Sequence, residues 1–348
     1  MAASTATIAC DLDFDRPGKQ VSHLRLDHSD NVHAFGFVPI PIAVIAGGKG
    51  PTVLLTAGNH GDEYEGQVIL RRLIQETVAE DLNGRLIVLP ALNAPAVLAG
   101  TRVSPLDGLN LNRCFPGEDG GAPTRAIAHY VSNVLLPMSD AGLDLHSGGS
   151  ASEYLPCSFL CTHPDPDLMA HVMALAMAFG APYAYVVDGA SGSTGLDPTA
   201  HGRGVPLIST ELAGGASLDL RALQVGRDGV RRVLSQLGVL EGDRVEAEPP
   251  RFLRAGGATD RVTAPISGLF EPYCRLGEEV EEGDPAGAVH ALEEPQRAPV
   301  ELRFARSGVV VARRVPARVL AGDHVYQVAQ EVTRDQILAE IKRSQEKP

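Results

Sequence analysis

The sequence contains no apolar run of about 18 residues, the length that a membrane-spanning helix needs. Residues 1–19 also lack the basic start and long apolar run of a secretory signal. The five cysteines are odd in number and widely spread, a pattern that is not typical of a disulfide framework. We therefore expect reduced thiols and a cytoplasmic protein that neither spans nor enters a membrane.

Positive charge is in short supply, since 30 Lys and Arg residues face 43 Asp and Glu residues, a formal net charge of −13. Binding to nucleic acid or to an anionic membrane surface relies on clustered basic residues, so neither partner is expected. The length of 348 residues fits one large α/β unit with a smaller module beside it. Composition leaves homo-oligomerisation open.

Signatures of several enzyme classes are missing from the chain. No Gly-x-Ser-x-Gly segment marks a serine hydrolase, and no Gly-x-Gly-x-x-Gly or P-loop segment marks a nucleotide site. Lysine is absent between Lys49 and Lys342. A prosthetic group carried on a lysine is therefore excluded for that whole stretch.

Residues that can bind a metal stand at one predicted strand-to-helix turn. Residues 51–55 have the pattern of a buried strand and residues 65–78 that of a helix, so His60 and Glu63 lie between them. Residues three apart in a helical turn share a face, which lets an imidazole and a carboxylate converge on one cation. A His-x-x-Glu pair alone is weak evidence, because such short motifs also occur by chance.

A third ligand is needed for a catalytic metal site, and His146 is the best candidate. It ends the apolar run 142–146 and so should lie at the end of a strand. In an open α/β sheet the carboxyl ends of neighbouring strands meet at one crevice. The sequence therefore predicts a metal site made of His60, Glu63 and His146.

Four segments resemble the succinylglutamate desuccinylase and aspartoacylase family, which is related to the zinc carboxypeptidases. They are residues 58–63, 110–113, 144–149 and 210–212, and the resemblance covers roughly residues 19–330. Longer matches within this range are most similar to the branch of the family that deacetylates N-alpha-acetyl-2,4-diaminobutyrate in ectoine breakdown. These longer matches cover residues 58–66, 102–117 and 210–215.

The resemblance implies one Zn²⁺ per chain, bound by the three predicted ligands. It also implies that Glu211 is the proton shuttle, that Arg102 stabilises the oxyanion, and that Asn112 and Arg113 bind the substrate carboxylate. Taken alone, Glu211 also fits a salt-bridged structural role, and each arginine an exposed surface position. The grouping of the arginines in one loop rich in Gly, Pro and Asn favours function.

Strands that alternate with helices predict an α/β fold, with a mostly parallel sheet flanked by helices as in the zinc carboxypeptidases. Residues 39–46 and 52–57 are expected to form a hairpin. The predicted units are an N-terminal arm (1–30), a zinc-dependent catalytic domain (31–245), a linker (246–261), a β-barrel-like module (262–330) and a C-terminal helix (331–348).

The predicted module has two similar halves. Residues 262–268 and 306–310 are each followed by a Gly-Asp turn and resemble the halves of a lipoyl or biotinyl-type module. Such modules carry their prosthetic group on a lysine, and this one has none. We therefore expect a structural or assembly role for it.

Together these features predict a zinc-dependent amidohydrolase that removes an acyl group, best matched by acetyl, from an N-acyl amino acid. The best-matched substrate is N-alpha-acetyl-L-2,4-diaminobutyrate, in ectoine degradation. The alternatives are a desuccinylase or deacetylase of an acidic N-acyl amino acid, or a non-catalytic metal-containing binding protein. A carboxylate near the substrate side chain favours a cationic substrate, and an extra arginine there an acidic one.

Overall fold

The structure, a computed structural model, describes residues 7–29, 34–189, 194–240 and 247–345. It is a mixed α/β fold in which helices cover both faces of a large sheet, and a second, four-stranded sheet lies in the C-terminal part. The predicted domain boundary at residues 245 and 246 lies outside the described residues.

The first eleven strands are β1 (Ile8–Ala9), β2 (Gly18–His28), β3 (Gly36–Ala46), β4 (Thr52–Ala57), β5 (Arg85–Leu89), β6 (Ala141–His146), β7 (Ser152–Tyr154), β8 (Cys157–Cys161), β9 (Tyr183–Val187), β10 (Leu207–Glu211) and β11 (Arg251–Arg254). The remaining strands are β12 (Arg261–Thr263), β13 (Gly268–Pro272), β14 (Glu279–Val280), β15 (Pro285–His290), β16 (Val300–Arg303), β17 (Gly308–Arg314), β18 (Arg318–Val319) and β19 (His324–Glu331).

The helices are α1 (Glu65–Glu76), α2 (Ala94–Ala99), α3 (Pro123–Tyr130), α4 (Pro166–Phe179), α5 (Leu196–His201), α6 (Leu220–Gln236) and α7 (Arg334–Gln345). Single 3₁₀ turns form at Ala79–Asp81, Leu111–Arg113, Leu136–Met138 and Ala258–Asp260, and a π-helical turn at Val131–Leu135.

Parallel pairing is confined to two parts of the large sheet. Strands β5, β4, β6 and β10 are adjacent and parallel, and so are β8, β9 and β11. The pairs β3–β5 and β10–β8 are antiparallel. The sheet is therefore mixed, and the prediction of a mostly parallel sheet is wrong in this respect. The carboxyl ends of β4, β6 and β10 still meet at one edge, as the sequence predicted.

Two hydrophobic cores follow from the alternation of side chains along the central strands. Val53 and Leu55 of β4 pack into a core with α1, α4, α6 and α7. Leu54, which points to the other face, packs with side chains of α2, α3 and α5. Because β4 and β5 are buried on both faces, their sequences are mostly apolar.

The expected hairpin between residues 39–46 and 52–57 does not form. Strand β5 lies between β3 and β4, antiparallel to the first and parallel to the second. The intervening loop instead packs on residues 79–84, and a Cβ at Gly47 would lie 2.1 Å from the Ala79 carbonyl oxygen. A long-range strand pair has therefore replaced the local one that the turn residues indicated.

Two segments that the sequence assigned to an arm and a linker contain strands. Residues 18–28 form β2, which pairs with β3 along its whole length and buries Leu24 and Leu26. Residues 251–254 form β11, which lies between β9 of the large sheet and β19. Paired backbone groups and buried leucines stabilise both segments more than their composition indicated.

The C-terminal strands repeat one turn structure. Gly283 and Gly322 both have positive φ angles, and the aspartate after each accepts a hydrogen bond from the backbone at the start of its turn. Ser307 Oγ accepts from the backbone nitrogen of residue 282, and Ser267 Oγ accepts from that of residue 321. Each half therefore contacts the turn of the other half.

In the part of the chain that the structure describes, no helix is both long and apolar enough to cross a membrane.

Close packing of α4 against α6 gives a test of the fold. A Cβ at Gly229 of α6 would lie 2.6 Å from the ring of Phe179, which is fully buried in the main core. We expect Gly229→Ala to lower the free energy of unfolding by about 1–3 kcal/mol, because the added methyl group overpacks the core. This loss should exceed the gain from the higher helix propensity of alanine. Urea denaturation measures this. Arg231→Ala, at an exposed position of the same helix, should change it by less than about 0.5 kcal/mol.

Candidate metal centre and active site

The loop between β4 and α1 lies tightly against α2. A Cβ at Gly61 would lie 1.9 Å from the Ala96 carbonyl oxygen, and Gly58 has a φ of 71° with Val97 close by. Only glycine fits at these two positions. The tight loop brings His60 and Glu63 to the end of β4, where both side chains are buried.

His60, Glu63 and His146 converge, as the sequence predicted. The His60 Nδ1 atom lies 2.6 Å from Glu63 Oε1, and the His146 Nδ1 atom lies 2.8 Å from Glu63 Oε2. One ligand atom from each residue lies within 4.8 Å of the other two. Among the described residues, this is the one group of His, Cys, Asp and Glu side chains with the spacing of a metal site.

The other nitrogen of each imidazole already has a hydrogen-bond acceptor. His146 Nε2 lies 2.8 Å from Asp144 Oδ2, and His60 Nε2 lies 3.1 Å from Asn110 Oδ1. With the ring protons on Nε2, both Nδ1 lone pairs face the Glu63 carboxylate, and a shared cation stabilises such a set of donors. Two imidazoles and one carboxylate, with room for a further ligand, are the donor set of catalytic zinc sites.

Asp144 is fully buried beneath His146, at the centre of a small polar cluster. Its oxygens also accept hydrogen bonds from Thr56 Oγ1 at 2.7 Å and from Asn59 Nδ2 at 3.2 Å. Burial alone would raise the pKa of Asp144, but the charge of His146 and these hydrogen bonds lower it. The ionised carboxylate therefore orients His146 from behind the candidate metal site formed by His60, Glu63 and His146, the metal-binding group.

Glu211 ends β10 beside β6, and its backbone is in register with that of His146. No described residue donates a hydrogen bond to its carboxylate or forms an ion pair with it, and its Oε2 atom is buried. Burial raises the pKa of Glu211 to about 8, and the negative charge of Glu63 acts in the same direction. A carboxyl group in this environment can exchange a proton near neutral pH.

Arg102 comes from the loop after α2 and lies against the metal-binding group. Its Nη1 atom is 3.4 Å from Glu63 Oε1 and 3.4 Å from His60 Nδ1, while half of the side chain remains exposed. A guanidinium so placed can donate to an oxygen atom that binds beside these ligands.

Asn112 and Arg113 lie in the 3₁₀ turn at Leu111–Arg113, next to the metal-binding group. Asn110 precedes the turn, and its side chain accepts hydrogen bonds from both the Asn112 backbone and His60. The Asn112 Oδ1 atom accepts from the backbone nitrogen of Leu196 at 3.2 Å, which leaves its amide NH₂ to donate elsewhere. Arg113 is exposed, with Nη1 3.2 Å from the Asn112 carbonyl oxygen.

All seven residues that were predicted from the sequence to form the site line a single cavity of about 760 Å³. It also has walls that the sequence did not indicate, from α5, β7 and the C-terminal strands. These further lining residues include Tyr154, Asp188, Asp197, Arg261 and Gln327.

The C-terminal strands are attached to the cavity by β7. This short strand pairs with β17 between Tyr154 and Ala312, and Glu153 forms an ion pair with Arg313 at 2.7 Å. The same contact brings Arg261 and Gln327 to the cavity wall. The C-terminal part of the chain therefore helps to shape the site, which its composition did not indicate.

Asn110, Tyr154 and Asp197 are among the residues of the site that the sequence did not single out. Asn110 stood inside a matched segment, where its contact with His60 could have been inferred. Tyr154, whose pKa is raised by burial and by the charge of Glu211, follows no motif. Asp197 precedes a proline after a segment rich in Gly and Ser, which is typical of a turn rather than of a site.

Comparison with known proteins agrees with this geometry. Residues 49–237 match the succinylglutamate desuccinylase/aspartoacylase catalytic domain. The chain is 40% identical over 326 residues to N-alpha-acetyl-L-2,4-diaminobutyric acid deacetylase of Halomonas elongata, covering 93% of this chain and 95% of that protein.

Solved structures extend the match to nearly the whole chain. The product-bound ectoine utilization protein EutE (DoeB) of Ruegeria pomeroyi has a TM-score of 0.89 at 39% identity, covering 94% of this chain and 99% of that one. A succinylglutamate desuccinylase/aspartoacylase of Rhodobacter sphaeroides has a TM-score of 0.88 at 41% identity, covering 93% and 99%. The chain therefore belongs to the succinylglutamate desuccinylase/aspartoacylase family, whose members are hydrolases that act on amide bonds.

Proposed function

We propose that this enzyme is a zinc-dependent amidohydrolase that removes the acetyl group from N-alpha-acetyl-L-2,4-diaminobutyrate during ectoine degradation. The observation that carries the proposal is the convergence of His60, Glu63 and His146 beside an unpaired Glu211. The named activity of the Halomonas elongata relative supports the choice of substrate.

One Zn²⁺ per chain would be held by the Nδ1 atoms of His60 and His146 and by the Glu63 carboxylate. When bound, the ion supplies a Lewis acid that acidifies water and polarises a carbonyl group. The chain's own contribution is orientation. Asp144 and Asn110 hold the two imidazoles from behind, so that the Nδ1 lone pairs face one point.

Glu211 is proposed to transfer the proton during hydrolysis. It would accept a proton from the attacking water and pass it to the departing amine nitrogen. Burial raises the pKa of this carboxyl group above its usual range, which suits a group that must both accept and donate a proton. Such a general acid–base group contributes typically about 10²- to 10⁴-fold to the rate.

Three further side chains are proposed to bind the substrate. Arg102, which contacts Glu63 and His60, would donate to the oxyanion of the tetrahedral intermediate. Arg113 and the free amide NH₂ of Asn112 would bind the substrate carboxylate, since a guanidinium pairs with a carboxylate through parallel hydrogen bonds. The contact of Asn112 with Leu196 supports this orientation of its amide.

An acidic N-acyl amino acid is the second candidate substrate. Arg261 supports it, because this arginine lines the cavity and forms no ion pair with any described residue. Desuccinylation or deacetylation of such a substrate would use the same metal ligands and the same Glu211. The two candidates differ in the charge of the side chain that the cavity must accept and, for desuccinylation, in the acyl group.

We also propose the domain division that the composition suggested, with a catalytic unit over residues 31–245, a connection over 246–261 and a module over 262–330 of the lipoyl or biotinyl type. The separate apolar core around Phe270, Phe304 and Tyr326 and the repeated Gly-Asp turns support it. The five unpaired cysteines support a cytoplasmic location.

Hydrolysis of a substrate panel tests the proposed activity. The zinc-loaded protein should release acetate from N-alpha-acetyl-2,4-diaminobutyrate faster than from N-acetylaspartate and faster than it releases succinate from N-succinylglutamate. Acetate and succinate are quantified enzymatically under identical conditions. Preference for an acidic compound would contradict the substrate assignment, and no turnover of any N-acyl amino acid would contradict the function.

Two glutamate variants separate metal binding from proton transfer. We expect Glu211→Gln to keep one zinc per chain but to lose about 10²- to 10⁴-fold in kcat. Glutamine has nearly the same shape as glutamate, but it cannot accept a proton and release it again. Glu63→Ala should lose zinc as well, because it removes a ligand. Metal content by atomic emission and kcat are measured on the same samples. Equal zinc loss in both variants would show that Glu211 is a ligand rather than the proton shuttle.

A further inference from the structure

Asp197 is a buried carboxylate in the wall of the active-site cavity, and only one of its oxygens has a partner. The Asp197 Oδ2 atom accepts a hydrogen bond from Ser209 Oγ at 2.7 Å. The Oδ1 atom is buried and has no hydrogen-bond partner, and no described basic residue forms an ion pair with this side chain. The residue is 7% exposed and lines the same cavity as the metal-binding group.

A carboxylate in this environment is costly for the free protein. Burial raises the pKa of Asp197 to about 6, and the hydrogen bond from Ser209 offsets this only in part. Buried charges in proteins are normally paired, and unpaired ones concentrate where a ligand supplies the partner. The missing partner of Asp197 is a hydrogen-bond donor, and a cation satisfies both its charge and its free oxygen.

The position of Asp197 relative to the reacting groups is set by β10. Ser209 and Glu211 are two residues apart on this strand, so their side chains are on the same face, about 7 Å apart. Asp197 is bound to the first, and the second is the proposed proton shuttle. The carboxyl groups of Asp197 and Glu211 therefore lie along one wall of the cavity, separated by about the spacing of two residues along the strand.

A second contact links Asp197 to the proposed carboxylate-binding residues. The backbone nitrogen of Leu196, directly before Asp197, donates to Asn112 Oδ1 at 3.2 Å. Asn112 and Arg113, which are proposed to bind the substrate carboxylate, are thus connected to the start of α5, which carries Asp197. The same cavity is lined by the positively charged side chains of Arg102 and Arg113 and by the carboxylate of Asp197.

We propose that Asp197 is the specificity-determining residue for the substrate side chain, and that its free Oδ1 accepts a hydrogen bond from a side-chain ammonium group. The inference rests on the proposed function, which places the scissile nitrogen near Glu211. In a 2,4-diaminobutyrate unit the two nitrogens are four bonds apart, about 5 Å when extended. This length fits a substrate whose α-nitrogen lies at Glu211 and whose ammonium group reaches the carboxylate beside Ser209.

Paired substrates test this role. N-alpha-acetyl-2,4-diaminobutyrate carries the ammonium group, and N-acetyl-2-aminobutyrate has the same backbone and acyl group without it. We expect Asp197→Asn to lower kcat/KM for the first by about 10- to 150-fold, the range for a hydrogen bond to a charged group. For the second, the change should stay within about threefold, so that the ratio between the two substrates collapses.

Three further variants make the test specific. Ser209→Ala, which removes the hydroxyl that holds Oδ2, should lower the same ratio by a few fold. Asp335→Asn removes the same charge from the exposed start of α7 and should leave both substrates unaffected. Asp188→Asn removes an exposed carboxylate from the wall of the same cavity. If Asp188→Asn loses the preference for the substrate with the ammonium group while Asp197→Asn keeps it, the proposal is wrong.

A binding measurement separates specificity from a structural role. By calorimetry, 2,4-diaminobutyrate should bind the wild-type zinc-loaded protein more tightly than 2-aminobutyrate, and Asp197→Asn should remove this difference. An equal loss for both ligands, or for both N-acetyl substrates, would show that Asp197 only supports the fold. If the wild type hydrolyses no N-acyl amino acid, the proposed function itself fails. If it hydrolyses both paired substrates equally well, only the role of Asp197 fails.

Discussion

The Glu63 carboxylate holds the site together, because each of its oxygens contacts a different imidazole. One imidazole comes from its own loop and the other from the end of β6, more than eighty residues away along the chain. Parallel pairing of β4 with β6 brings these ends together, and at Gly58 and Gly61 of the loop an added side chain would collide with α2. A shift of one residue in that pairing would separate the three side chains.

The rest of the cavity carries charged side chains of both signs. Arg102, from the loop over residues 102–113, lies next to the metal-binding group. The carboxyl groups of Glu211 on β10 and Asp197 on α5 form no ion pair with a described residue. The protein keeps these carboxylates at a cost to its stability, which is the usual pattern where a ligand completes the pairing.

The local parts of the site could be predicted from the sequence, because they depend on periodicity along short segments. The strand ends at His146 and Glu211 and the turn that carries His60 follow from apolar runs that stop at polar residues. The hairpin prediction failed because β5 pairs between β3 and β4, a contact that local turn residues do not encode. Asp197 and Arg261 were missed for the same reason, since only packing between distant segments brings them to the cavity.

The proposed mechanism depends on one zinc ion bound by the Nδ1 atoms of His60 and His146 together with Glu63. Anomalous X-ray diffraction at the zinc edge, on crystals of the zinc-loaded protein, tests it most directly. We expect a single strong peak about 2.0–2.2 Å from both Nδ1 atoms and from a Glu63 oxygen. A peak on the Nε2 side of either ring, a peak elsewhere on the chain, or no peak after loading would contradict it.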